Sequence, residues 1–434
     1  MDLKRPLFPI PHQQSGQAMK INSTFTSVLI FVALFISIGF GQYRANTLPF
    51  FLSDYPTYET NGRPHFDSAS ESVVLNRIDF ESLDLEYPST FQLWRVSGDQ
   101  RDFGDASSPD WVAPNHALLT NSDYLLNGAP YVSQVGLQSF LWAKLSKALG
   151  LENGNYAALR LIHIIILSLI FTNILMWVHW KFGPAQAAWS AIAICTSTGV
   201  AVFASSLYWS IALFFLPIWI ATLYARFSSV PFPYFIGALF AAFFIKFSSG
   251  YEFISVVVIL STLPALADVS RIGFQRCIIQ CATIFITALT AFAASLALYH
   301  NLFFWEFERS GLEHIFSRSS SWAGLDAGGT SLKFWTEQAA KTLSMSAVSI
   351  DRFGVPIAVL LVAYLFLAFR FWRNIPINER LFMFGALVAT ASWYVLQSEH
   401  ILFHPRYSPL IMFPILLSFS ICLLPRAFSK WRAA

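Results

Sequence analysis

Charge is what this sequence has least of. Asp, Glu, Lys and Arg make up 12% of its 434 residues, against 55% hydrophobic and 17% aromatic residues, and the mean hydropathy is +0.52. Soluble domains carry about 25% charged residues, so this composition excludes an ordinary globular protein and makes a membrane the natural solvent. Basic excess is lacking too: a formal net charge of +3 leaves no electrostatic footprint for nucleic acid. Cysteine is equally scarce. Cys195, Cys277, Cys281 and Cys422 all fall in or beside apolar runs, where a thiol acts as a small buried hydrophobe rather than as half of a disulfide or part of a metal cluster.

What the sequence does have is apolar runs long enough, or nearly so, to cross roughly 30 Å of hydrocarbon. They lie near residues 25–41, 159–179, 185–204, 207–225, 231–247, 250–267, 277–299, 354–372, 381–397 and 407–424. With the N-terminus inside, the inner turns hold Lys4, Arg5, Lys20, Lys181, Arg226, Arg271, Arg276, Arg370, Arg373, Arg380, Arg426, Lys430 and Arg432. That is the positive-inside pattern, and it predicts about ten transmembrane helices with both termini cytoplasmic. The first run ends at Gly39-Phe40-Gly41, a place where a signal peptide could be cleaved. Its leader is long and the chain goes on as a multi-spanning protein, so the run reads as an uncleaved anchor.

The chain therefore divides into a cytoplasmic N-terminus (1–24), a first span (25–41), an outer segment (42–158), six spans (159–299), a second outer segment (300–353), three spans (354–424) and a cytoplasmic tail (425–434). The first outer segment is rich in acids, including Asp54, Glu59, Asp67, Glu71, Asp79, Glu81, Asp84 and Glu86. Its end, 131–149, repeats Leu137, Leu141, Leu145 and Leu149 with Gln138, Lys144 and Lys147 between them, an amphipathic helix suited to the membrane surface. The second outer segment interleaves aromatics such as Trp305, Trp322 and Trp335 with charges and a Gly328-Gly329 turn, in the manner of an interfacial aromatic belt.

Three stretches, taken with this order of parts, carry a family likeness. They are Tyr131-Val-Ser-Gln-Val-Gly-Leu-Gln138 running through Leu149-Gly150-Leu151 to Ala158-Leu159-Arg160-Leu161; Phe203-Ala-Ser-Ser-Leu-Tyr-Trp209; and His404-Pro-Arg-Tyr-Ser-Pro-Leu410 with Pro414. The chain resembles the GT-C class of membrane glycosyltransferases, in particular the bacterial branch related to protein mannosyltransferases and lipid A aminoarabinose transferases. The likeness covers most of the chain in architecture and little of it in specific motif. It implies a sugar taken from a polyprenyl-phosphate donor and attached to a lipid, glycan or protein acceptor on the outer face of a bacterial inner membrane. It also implies a carboxylate base in the first outer segment, in a D-E-x-x-[YF] setting. This sequence departs from that motif, which leaves Asp54, Glu59, Asp67 and Glu71 as candidates. Asp67 and Glu71 are favoured, because a spacing of four puts both on one face of a helix.

The leaving phosphate needs cations, and arginine matches its geometry best. Lys246, at the outer end of the fifth span, and Glu252, opening the sixth, are ionisable groups at membrane depth, where such groups are functional or paired; snorkelling to the headgroups is the plainer role for the lysine. The polar turn from Ser398 through His400, His404, Arg406 and Tyr407 offers Arg406 as a phosphate contact, which the resemblance implies. His400 and His404 have zinc-like spacing, but Pro405 interrupts the helix that would present them together. No cofactor follows from the sequence; a divalent metal ion stays open. Rival readings are a transporter, which should show repeated halves that are not seen here, a polysaccharide polymerase or ligase, whose main outer segment comes late in the chain, and a non-enzymatic scaffold.

The cation pattern places Gln100 and Trp322 outside and Phe274 and Ala434 inside. Single-cysteine labelling in a cysteine-free background checks this, and labelling of position 100 from the cytoplasm would sink the topology.

Overall fold

A backbone immersed in hydrocarbon must satisfy its own hydrogen bonds, which leaves an apolar run little choice but to close into a helix. The computed structural model describes residues 20–39, 59–60, 63–64, 68–96, 128–151, 156–204, 206–227, 230–322, 332–350, 353–396 and 407–433. Every apolar run named above holds a helix. Among the described residues, five helices are long and apolar enough to cross a membrane: Tyr156–Phe182, Phe232–Ser249, Phe274–Phe307, Ile357–Asn374 and Ser408–Ser429. Three shorter apolar helices, Ser27–Gly39, Ile211–Arg226 and Ile254–Ala267, accompany them.

In chain order the helices are α1 (Lys20–Gly39), α2 (Ser68–Ser82), α3 (Leu137–Ala148), α4 (Tyr156–Phe182), α5 (Pro184–Thr196), α6 (Thr198–Phe203), α7 (Ile211–Arg226), α8 (Phe232–Ser249), α9 (Ile254–Ala267) and α10 (Val269–Ile272). There follow α11 (Phe274–Phe307), α12 (Gly311–Trp322), α13 (Leu332–Ser344), α14 (Ile357–Phe371), α15 (Ile377–Leu396), α16 (Ser408–Ile411), α17 (Phe413–Ser418) and α18 (Leu424–Ala433). Strands are confined, among the described residues, to three antiparallel pairs: β1 (Glu59–Thr60) with β2 (Arg63–Pro64), β3 (Trp94–Val96) with β4 (Gly128–Pro130), and β5 (Ser346–Ile350) with β6 (Phe353–Pro356).

The bundle is built around α7 and α9. Helix α7 packs on α4, α8 and α9, while α9 also packs on α11 and α15. Aromatic rings fill the seams: Phe171 of α4 lies 4.6 Å from Phe215 of α7 and 5.8 Å from Phe413 of α17, ring centre to ring centre. Over one end sits a smaller layer in which α2 packs on α3 and α3 on α8. Helix α3 turns Gln138, Ser139 and Trp142 inward, packs Leu145 in part on the cluster that holds Trp142, and leaves Leu141, with Leu149 just past its end, exposed. It starts at Leu137, because Gly136 is left-handed (φ 79°) and a Cβ there would meet Leu93 Cγ at 2.6 Å.

Two apolar runs end where tertiary contacts, not composition, decide. The third breaks at Ser197, which leaves the helix to form a bridge with Val348 of β5 and caps α6 by accepting from Val200 N at 3.3 Å. The seventh runs on past 299 to Phe307, into the segment predicted as an outer loop. Tyr299, Phe303 and Phe307 carry it onward by packing around Phe91, at 5.4, 6.2 and 6.4 Å. All four cysteines are free thiols.

Close backbone approach holds α6 against α16. A Cβ on Gly199 would lie 2.5 Å from Leu410 N and Cα, so Gly199→Ala must push these helices apart. A lower thermal midpoint in detergent is expected, corresponding to a loss of roughly 1–3 kcal/mol. Gly237→Ala, which meets nothing within 4 Å, should not lower it.

Candidate functional site

Lys246 stands in the last turn of α8 and is 6% exposed. Burying an ammonium group is costly without partners, and the structure supplies two. Its Nζ donates to Gly250 O at 2.8 Å, and Glu252 brings a neighbouring negative charge. The lysine therefore turns into the protein instead of snorkelling to the headgroups. Glu252 lies in the turn before α9, which begins only at Ile254. That turn depends on Gly250: a Cβ there would collide with Glu252 Oε2 and lie 2.7 Å from Gln134 Oε1.

These groups line a narrow, partly open cavity with about 10 Å³ of free space, room for a single water. Its polar side is Gln134, Lys246, Ser249 and Glu252, and its aromatic side is Tyr208, Trp209, Phe214 and Phe253. Gln134 Oε1 and Ser249 Oγ are buried with no hydrogen-bond partner. Orphaned buried polar atoms are rare and ask for a water or a ligand.

Two helices start at this cavity. Helix α7 is preceded by Ser210 and α9 by Phe253, both left-handed (φ 38° and 62°) and neither capping with its side chain. The Ser210 hydroxyl instead donates to Leu207 O at 2.6 Å and accepts from the Trp142 indole at 2.9 Å. Helix N-termini present partial positive charge, although in α7 the Ala212 N–H is already taken by His163 Nε2 at 3.2 Å. Two strained non-glycine residues at one cavity are the kind of outlier that function sustains. The chemistry on offer is thus anion binding beside aromatic faces, with a carboxylate within the same walls.

Tyr407 is buried behind this wall, 4.8 Å from Trp209 and 6.2 Å from Phe253 between ring centres. The three stretches that carry the family likeness consequently meet. Gln134 lines the cavity, Gln138 Nε2 donates to Tyr208 O at 3.2 Å, Trp209 forms the wall and Tyr407 backs it. Of the residues expected from sequence, Lys246, Glu252 and Tyr407 are brought together. Asp54, Asp67, His400, His404 and Arg406 lie outside the described residues; Glu59 in β1 and Glu71 in α2 are described in backbone only. Among the described residues no group of three His, Cys, Asp or Glu gathers as a metal site.

Sequence reasoning overlooked Gln134, Ser249 and, on α2, Asp79. Arg77 anchors that helix, bonding Glu81 and Gln92 at 3.1 Å each and lying 4.3 Å over the Tyr87 ring. Lys144 and Lys147 of α3 reach Glu81 and Asp84 at 2.6 Å. Asp79 is 3% exposed; one oxygen accepts from Tyr156 OH at 2.5 Å and the other has no partner. The available signal was the apolar company of Val73, Val74, Ile78 and Phe80, which marks α2 as packed on more than one side rather than solvated.

No protein-family model, no curated protein and no solved structure matches the chain.

Burial pushes the Asp79 carboxyl up to about 7, against a smaller lowering by the Tyr156 hydroxyl. Because the docked form holds its proton more tightly than the free form, this group's contribution to docking is fully present below pH 3.8 and is lost as the pH rises through about 7. Hydrogen exchange of residues 68–82, corrected for intrinsic rates, should be faster at pH 8 than at pH 6 in the parental chain. Asp79→Asn, which keeps an acceptor for Tyr156, should exchange alike at both.

Proposed function

We propose that the chain is a multi-spanning membrane glycosyltransferase that moves a sugar from a polyprenyl-phosphate donor to a lipid, glycan or protein acceptor. The observation that carries this reading is the cavity at one end of the bundle, where a buried lysine, the N-termini of α7 and α9 and unpartnered polar atoms face aromatic walls. Helix N-termini and a lysine are a natural seat for a phosphate. Tyr208 and Trp209 offer flat apolar faces against which a sugar ring packs.

In the reaction, an acceptor oxygen attacks the anomeric carbon, and the bond from that carbon to the phosphate oxygen breaks with its electron pair going to the phosphate. The acceptor proton goes to a carboxylate. Lys246, the starts of α7 and α9, and Arg406, which precedes Tyr407 in sequence, hold the developing phosphate charge. The resemblance assigns the base to Asp54, Glu59, Asp67 or Glu71 of the first outer segment; Glu252, at the cavity itself, joins them. His400 and His404 belong to the same turn as Arg406 and are read as contacts to substrate. A site at helix ends also favours a transferase over a transporter, whose site lies near the midplane of repeated halves. The same reading places ten spans in a bacterial inner membrane, with the cavity on the outer face and both termini in the cytoplasm.

The test is transfer in vitro by purified protein with a panel of polyprenyl-phosphate sugars. Lys246→Ala and Arg406→Ala should each cost about 2–4 kcal/mol in donor use, the scale seen when one partner of a buried charge contact is lost. The base should show itself among Glu252→Gln, Asp67→Asn, Glu71→Gln, Asp54→Asn and Glu59→Gln as a folded variant with turnover cut by about 10² to 10⁴. Full transfer by both alanine variants would remove the cations from the mechanism and the reading with them.

A further inference from the structure

One imidazole grips both ends of the turn that carries Tyr208 and Trp209. His163 lies in α4 and is 1% exposed. Its Nδ1 is 2.7 Å from Ala204 O and its Nε2 is 3.2 Å from Ala212 N. A carbonyl oxygen only accepts and a backbone N–H only donates, so Nδ1 carries the proton, Nε2 accepts, and the ring is neutral. Ala204 follows α6 and Ala212 lies in the first turn of α7, so the two contacts bracket the turn.

Between those ends the turn is under tension. Ser210 sits left-handed at φ 38°, a conformation that persists only where its surroundings over-determine it. Trp142 of α3 meets His163 edge to face at 5.8 Å and donates to Ser210 Oγ, while Gln138 holds Tyr208 O. Helix α3 thus grips the middle of the turn and α4 its ends. Filling space in an apolar seam would need only an apolar side chain; a polar ring there costs free energy unless both nitrogens are used, and both bonds end on this turn.

We propose that His163 is a positioning residue of the cavity: clamped between Ala204 and Ala212, it sets Tyr208 and Trp209 as the wall for the ligand's ring and fixes the start of α7 beside the place of the ligand's anion. The inference rests on the transferase reading for the identity of that ligand, a lipid-linked phosphate, and on geometry alone for the clamp. Glutamine, with one donor and one acceptor on a planar amide, can replace both bonds. Leucine fills similar space and makes neither.

Two readouts separate the clamp from the ligand. The first is the ¹⁹F resonance of Trp209 in protein labelled with 5-fluorotryptophan, assigned by Trp209→Phe. The second is titration of detergent-solubilised protein with dodecyl phosphate. His163→Leu should move or broaden the Trp209 resonance and weaken dodecyl phosphate binding by about tenfold, the scale of one net hydrogen bond. His163→Gln should keep the resonance in place and the affinity within about threefold. Ser168→Ala, which loses only a bond to Ile164 O of its own helix, should leave both unchanged. A folded His163→Leu variant with the parental resonance overturns the clamp. Failure of the parental protein to bind dodecyl phosphate overturns the ligand reading and leaves the resonance to decide the clamp. If the leucine variant does not fold, the ¹⁵N spectrum of labelled histidine in the parental protein decides: His163 must show the neutral Nδ1–H tautomer, and an Nε2–H tautomer or an imidazolium at neutral pH refutes the inference.

Discussion

Uncompensated charge cannot sit among apolar helices, and where the few charges find partners orders the rest of the molecule. At one end of the bundle three cations tie helices together. Lys181 in the last turn of α4 and Arg271 of α10 both pair with the buried Asp268, and Arg271 also reaches Ala225 O at the end of α7. Arg426 of α18 holds Glu379 of α15 through two bonds of 2.5 and 3.0 Å. These contacts join helices that are distant in sequence. Replacing one partner would strand the other, which is far more costly than never having had the pair.

The opposite end follows different rules. There Lys246 spends one donor on a carbonyl and shares the field of a single carboxylate, two helices begin at left-handed residues whose side chains do not cap them, and Gln134 and Ser249 keep unpartnered oxygens. Polar groups left unsatisfied inside a well-packed fold mark the place where packing has been subordinated to something else. The layer formed by α2 and α3 serves that end: the bonds from Gln138 and Trp142 reach the turn that forms the aromatic wall, and the ion pairs of Lys144 and Lys147 tie α2 down over α3.

The apolar helices were legible in the sequence because a hydrocarbon-spanning run announces itself by composition. Their limits were legible only where composition also set them. Ser197 ends a helix because of Val348, and Phe307 extends one because of Phe91, and neither partner is near in sequence. Lys246 and Glu252 stood out as ionisable groups in apolar surroundings, and Tyr407 came through the likeness to a family. Gln134, Ser249 and His163 did not, since neutral polar residues acquire significance from where their atoms point. Asp79 was hidden among the many acids of the first outer segment, where spacing alone could not tell a buried carboxyl from a solvated one.

The bridge between Ser197 and Val348 has a consequence in time. Chains are made from the N-terminus at roughly 5–20 residues per second, so the residue that completes the break between α5 and α6 emerges on the order of ten seconds after the break itself. The backbone of Leu410, against which Gly199 is fitted, arrives later still. Through that interval α5 has no finished continuation, and a membrane-inserted intermediate must carry an open seam beside the turn that becomes the aromatic wall. The residues that line the cavity, Gln134 to Phe253, are made well before that, while Tyr407, which backs Trp209 and Phe253, arrives with Leu410.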